Sequence, residues 1–300
     1  MNFKNDKLIR YPILNEVIKV LDLKNSSHNT ITNYIDGIAR FLDFIEFDNS
    51  FEISIDHFQR FLIHLNTTDL NKKSINCINS YIRFFFNAVL DVPVNPYKVP
   101  MARVTHKDIR ILEDYQIISL LNASESNSRD DLIIKLGLCC GLRINEVASL
   151  RICDIHTKDS SKYIHISESK RNKSRNVPMD NTIYRAIQRY AKEFHIVPGS
   201  DDLLFHFSKN SKVNYNETIR CHFNKIVAQA GIDGVTFHAL RHTYAVNFLR
   251  VHNDINTLKY RLGHSSLVST SIYLRHSLAL APATNSFIDR IVSTRKDGNR

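Results

Sequence analysis

Cysteine is scarce and scattered in this chain, hydrophobic runs are short, and neither an internal repeat nor a low-complexity segment occurs in its 300 residues. Cys77, Cys139, Cys140, Cys153 and Cys221 make an odd set without a C-x-x-C pair. That spacing excludes a disulfide framework or a zinc site and predicts reduced, mostly buried thiols, with no metal or cofactor expected. The opening stretch MNFKNDKLIRYPILNEVIKV is interrupted by charge every few residues. It offers neither a signal-peptide core nor a spanning segment, so no membrane partner and a cytoplasmic location are expected.

What the chain has in surplus is positive charge, +10 in all with a pI near 9.3. A field of that sign favours polyanions such as nucleic acid. With 43% apolar residues the chain can fill the cores of two domains. Before Lys107 the net charge is close to zero, about +1, so the excess lies in the second part of the chain, although Lys72, Lys73 and Arg83 could still form a basic face on the first.

The first ninety or so residues read as helices. Ile31, Tyr34, Ile35, Ile38, Phe41, Leu42 and Ile45 recur at the spacing of one apolar helical face, with Ser26 and Ser27 placed to cap its start. Phe58, Phe61, Leu62 and Leu65 form a second such face, and Ile75, Ile78, Ile82, Phe85, Phe86 and Val89 a third. Together they predict a small helical bundle over residues 1–92. Periodicity then stops, and Pro93, Pro96 and Pro100 mark residues 93–107 as a linker. The second domain, residues 108–300, begins with LEDYQIISLLNAS and DDLIIKLGLCC, the latter ending at the helix-stop signal Gly141. YIHIS and NVPM read as two short strands joined by the basic stretch ESKRNKSR, and helices resume from Asp180. The expected class is mainly α with a small β-sheet.

Three segments carry chemistry: GLRINEVASL, FHALRHTYAV and LGHSSLVSTSIYLRHS. His238 and Arg241 stand three apart and share a helical face, where they could reach one phosphate or simply decorate a surface. Arg143 leaves an apolar helix through a short turn, and its planar fork of donors suits a phosphate's oxygens, or a salt bridge to Glu146. Lys170 lies in the basic turn between the strands.

These elements in this order resemble the tyrosine recombinase (phage integrase) family: GLRINE, a basic hairpin ending in VP, the H-x-x-R of HALRHT, LGH, and a tyrosine nine residues beyond that histidine. The resemblance implies a helical core-binding (SAM-like) domain followed by a mixed α/β catalytic domain. It implies that Arg143 and Arg241 clamp a scissile phosphate, that His238 and His264 assist proton movement and phosphate contact, that Lys170 protonates the leaving oxygen, and that Tyr273 attacks. The partners it implies are double-stranded DNA, a homotetramer in the synaptic complex and an accessory directionality protein. Two arginines are reasonable helpers for a phenol of pKa about 10 that must attack an anion.

Some choices stay open. Lys173 competes with Lys170, because the glycine that usually follows the family's lysine is Arg171 here. Tyr244 and Tyr260 could attack in principle but sit in apolar helical contexts typical of core packing. On one straight helix His264 and Tyr273 would lie roughly 13 Å apart. A break near residues 265–270 is therefore expected, or else Tyr273 serves a neighbouring subunit. Leu278, Leu280, Ile288 and Ile291 could dock on a neighbour or pack within the chain. The amino-terminal stretch is too short for the arm-binding domain that phage integrases often add, which favours a simpler recombinase. A type IB topoisomerase and a DNA-binding regulator without activity are the alternative functions.

Overall fold

The computed structural model describes residues 3–48, 50–104, 108–157, 162–167, 174–205 and 215–279. The chain divides into two compact units, Met1–Lys107 and Asp108–Arg300.

The first unit is all helical: α1 (Phe3–Arg10), α2 (Leu14–Leu23), α3 (His28–Phe44), α4 (Ile55–Asn66) and α5 (Lys72–Ala88). Each of the three long helices starts where a polar side chain satisfies a free backbone N–H. Ser27 accepts from Thr30, Ser54 from His57, and Asn71 from Ser74. The expected apolar faces turn inward: Ile35, Ile38, Phe41, Phe58, Phe61, Ile82, Phe85 and Phe86 are all buried. Phe58 and Phe86 stack at the centre, ring centroids 5.4 Å apart.

The proline-rich segment expected as a linker packs on this bundle through residue 102. Val94 and Val99 enter its core, Asn76 exchanges two hydrogen bonds with the backbone of Ala102, and Asn79 donates to the Pro100 carbonyl. Prolines cannot join a ladder or a helix interior, so the carbonyls around them are satisfied by side chains instead. Arg83 is one of those side chains, donating to the carbonyls of Val94 and Val99. It therefore does not belong with exposed Lys72 and Lys73 in a basic face.

The second unit opens with α6 (Asp114–Ser124), α7 (Ser128–Cys140) and the one-turn α8 (Ile144–Ala148), followed by an antiparallel sheet. Its strands β1 (Ile155–His156), β2 (Tyr163–Ile166) and β3 (Arg175–Pro178) lie in that order. Ile164 pairs with Val177, and both face the core. Two strands were expected; β1 is the third, too short for alternation to show. Five helices follow: α9 (Asn181–Glu193), α10 (Tyr215–Gln229), α11 (Phe237–His252), α12 (Ile255–Leu262) and α13 (Val268–Ala279).

Helix α11 is buried almost all round, the mark of a central helix. Its first half, with Phe237, Ala239 and Leu240, belongs to the main core around α7, α9, α10 and the sheet. Its second half, with Tyr244, Val246, Phe248 and Leu249, builds a smaller core with Leu258, Leu262 and Tyr273. His238, Arg241 and His242 sit at the junction of the two.

Cysteine placement departs from expectation. Cys140 is buried, but Cys77 and Cys221 are exposed on the outer faces of α5 and α10, whose amphipathic pattern does not require an apolar residue there. No helix among the described residues is long and apolar enough to cross a membrane.

Candidate active site

Two helices that end on left-handed glycines hold the central arginine. Gly141 (φ 63°) terminates α7 and Gly263 (φ 63°) terminates α12. A helix leaves its last carbonyls without intrahelical partners and carries partial negative charge at that end. Arg241 fills both ends, its Nη1 donating to the Gly141 carbonyl at 2.7 Å and its Nη2 to that of Leu262. The side chain is wholly buried. Burial, and then the charge of Arg143, bring its pKa down to about 10, so it remains a cation at neutral pH.

The turn after Gly141 delivers Arg143 at the start of α8. Its Nη1 donates to Glu146 Oε1 at 2.8 Å, and its backbone N–H donates to Glu146 Oε2 at 2.8 Å. Glu146 also accepts from Arg175 Nη2 at 2.9 Å and stands 3.8 Å from Arg241 Nη1. Burial pushes the Glu146 carboxyl up, but the Arg175 hydrogen bond and charge, the Arg143 N–H and Arg241 together hold it below the usual carboxylate range. Three guanidiniums thus converge on one carboxylate. Like charges held together in this way favour an anion between them.

On this cluster border three histidines and the candidate nucleophile. His238 stays exposed at its edge, and partial desolvation and then the charges of Arg241 and Arg143 lower its pKa. His264 lies in the non-helical turn between α12 and α13, its Nδ1 2.9 Å from Thr270 Oγ1. Burial first, and the charges of Arg241 and Arg143 next, lower it to about 3. The expected break is present: α12 stops at Leu262, α13 starts at Val268, and the His264 and Tyr273 rings stack in parallel with centroids 6.2 Å apart. Tyr273 is buried, and its Oη lies 3.0 Å from His242 Nδ1. Burial raises the phenol's pKa while Arg241 and Arg143 pull it down.

The geometry therefore brings Arg143, His238, Arg241, His264 and Tyr273 into one locality of the second unit. Lys170, with its competitor Lys173, lies outside the described residues. Tyr244 is buried as expected. Tyr260 is not a core residue: it is exposed, and its Oη accepts from the Asn176 N–H at 3.3 Å, because it stands at the edge where α12 meets β3.

Sequence reading passed over two members of the site. Arg175 occupies an inward position of β3, beside Val177, and donates from Nε to the Arg261 carbonyl at 2.7 Å. A charged residue where strand alternation demands an apolar one was the available signal. His242 follows Arg241 directly and lies four residues from His238, on the same face of α11, their rings 4.5 Å apart.

Comparison with known proteins gives the family. The model of the phage integrase family matches residues 110–279, and that of the phage integrase N-terminal SAM-like domain matches residues 13–95. A tyrosine recombinase of Pseudothermotoga lettingae is 28% identical, with 85% of this chain and 90% of the relative covered. The tyrosine recombinase XerA of Pyrococcus horikoshii is 26% identical, with 91% and 92% covered. In fold, the crystal structure of XerH site-specific recombinase bound to palindromic difH substrate superposes with a TM-score of 0.69 at 20% identity, over 85% of this chain and 78% of that one. Since the family model spans more than half of the chain and its helical companion covers the first unit, the protein belongs to the phage integrase family, that of the tyrosine recombinases.

Proposed function

We propose that this tyrosine recombinase is site-specific, cleaving and rejoining double-stranded DNA through a 3′-phosphotyrosyl bond at Tyr273. The observation that carries the reading is the meeting, within one chain, of buried Tyr273, whose phenol feels the charges of Arg241 and Arg143, with a cluster of three arginines on one glutamate. In this reading Arg143 and Arg241 grip the non-bridging oxygens of the scissile phosphate, and His238 and His264 contact it and help move protons. Tyr273 Oη bonds to phosphorus as the bond to the 5′ oxygen breaks, and Lys170 supplies that oxygen's proton. Positive charge placed in advance stabilises both the phenolate character and the extra negative charge of the pentacoordinate state. The phosphotyrosyl ester conserves the energy of the broken bond, so the 5′ hydroxyl of a second strand can reverse the step without a nucleotide cofactor.

The break before α13 favours attack in cis, on phosphate held by the same subunit. The helical domain of residues 1–92, with the segment through residue 102 packed on it, and the catalytic domain of residues 108–300 each supply a DNA-binding face. Exchange joins two duplexes, each carrying two protomers, hence a homotetramer on DNA, assisted where direction matters by an accessory protein. The reaction serves integration or excision of a mobile element, or resolution of cointegrates or chromosome dimers. Of the four apolar residues suggested for docking, Leu278 falls in α13, and Leu280, Ile288 and Ile291 lie outside the described residues.

The test selects a binding sequence from a pool of random duplexes with Tyr273→Phe protein, then offers it, nicked and in EDTA, to the wild type. A covalent adduct absent from Tyr273→Phe is expected. An adduct that persists in that variant overturns the nucleophile. Binding without any adduct indicates the inactive regulator, and relaxation of any supercoiled plasmid by a monomer indicates the topoisomerase.

A further inference from the structure

We propose that His242 is the base of the cleavage step, taking the proton of Tyr273 Oη onto Nδ1 and returning it when the strand is resealed. The inference rests on the recombinase reading and adds to it a residue given no part there. Its ground is geometric. Tyr273 Oη and His242 Nδ1 are 3.0 Å apart, within reach for direct proton transfer.

Three of the other groups nearby are committed elsewhere, and His238, on the same face of α11, is assigned to the phosphate in the proposed mechanism. His264 presents its ring face to the Tyr273 ring and its Nδ1 to Thr270. Both oxygens of Glu146 are taken by Arg143 and Arg175. Arg241 is a cation with no basic lone pair to offer. His242 meets the oxygen itself, and in its Nε2–H tautomer Nδ1 is an acceptor.

The electrostatic surroundings suit a base that must be empty at the start. His242 is flanked on α11 by His238 and Arg241, and from α13 by Tyr273 and His276. The charged residue of α12 in this region, Arg261, lies over the Phe248 ring instead, and Lys135 on α7 pairs with Asp131. Burial, then His238, Arg241 and His276, hold His242 down to about 4, so it is neutral at ordinary pH. A phosphate docked on the arginines adds negative charge and makes the imidazole more basic. The phenol meanwhile becomes a stronger acid as its oxygen bonds to phosphorus. The balance is then complete: the Oη–H bond breaks with its proton going to Nδ1, the P–Oη bond forms, the P–O5′ bond breaks, and the 5′ oxygen takes a proton from the acid of the proposed mechanism. Resealing runs each transfer backwards.

Single-turnover adduct formation on the selected nicked duplex tests this, with 5′-bridging oxygen in one substrate and 5′-bridging sulfur in the other. A thiolate leaves without a proton, so the sulfur substrate isolates the tyrosine side of the step. His242→Ala and His242→Asn are both expected to bind the duplex as the wild type does and to form adduct about 100-fold more slowly on both substrates. Added imidazole should restore part of the His242→Ala rate. Asn keeps an acceptor near the Nδ1 position but cannot take a proton, so a wild-type rate in His242→Asn reduces His242 to a positioning hydrogen bond and overturns the proposal. Recovery of His242→Ala on the sulfur substrate overturns it as well, moving His242 to the leaving-group side. Should His242→Ala not fold, the imidazole ¹⁵N signals of the intact wild type and of Tyr273→Phe decide. Nδ1 is expected as a hydrogen-bonded acceptor that shifts in the variant, and no shift counts against the proposal. If the wild type itself forms no adduct, the recombinase reading fails, and that outcome is distinct from a slow His242 variant beside an active wild type.

Discussion

Glu146 decides whether three guanidiniums can share one locality. Replacing it with Gln keeps the shape but removes the negative charge that Arg143, Arg175 and Arg241 share. Loss of one partner from a buried ion pair costs about 3 kcal/mol, so Glu146→Gln should lower the urea midpoint markedly. An unchanged midpoint would mean that solvent screens the arginines from each other. The histidines set a pH dependence of definite sign. His264 and His242 titrate near 3 and 4 in the folded protein but near 6.5 when unfolded. Below pH 6.5 the unfolded chain binds protons that the folded chain refuses, so stability is full above that pH and falls as pH drops towards 4. A loss on the order of 2 kcal/mol for each of the two is expected by pH 5. Urea titrations at pH 7.5 and pH 5 check it, and equal midpoints would show that these imidazoles are not held neutral. At this scale the sequence disclosed Arg143, His238, Arg241, His264 and Tyr273 through their motifs. It did not disclose His242, because a histidine beside an arginine looks like surface filling until its neighbours are known, and Arg175 was signalled only by its inward place in a four-residue strand, a pattern too short to stand out.

At the scale of elements, the stops matter more than the helices. Gly141 has a positive φ, and a Cβ there would run into the Tyr244 ring. Gly141→Ala should therefore cost about 1–3 kcal/mol and displace Arg143, slowing adduct formation while α7 itself persists by circular dichroism. Full activity in that variant would mean that the turn is not what places Arg143. The helices with periodic apolar faces, α3, α4 and α5, were legible because each buries one face on a single core. Helix α11 was harder to read, since it is buried almost all round and its sequence lacks a clear polar side. The two-residue β1 and the packing of residues 93–102 on the first bundle depend on tertiary partners that no local pattern announces.

For the whole molecule, charge governs how it meets its partner. The excess of +10 lies mostly beyond residue 107, and many phosphate contacts released together make affinity fall steeply with salt. Binding to the selected duplex should weaken about 10³-fold between 50 and 200 mM salt, measured by fluorescence anisotropy; a nearly flat dependence would mean that contacts other than phosphate hold the DNA. One feature of the site bears on how such a molecule can diverge. The acceptors that orient Arg241 are main-chain carbonyls of Gly141 and Leu262, atoms that every amino acid carries and no substitution deletes. Neighbouring side chains are thus free to drift, provided the two helix ends keep their curvature. Inheritance of the catalytic arginine's posture is written in backbone shape, guarded by two glycines, and a deep mutational scan should find sharper intolerance at Gly141 and Gly263 than at Leu262, which supplies the second carbonyl.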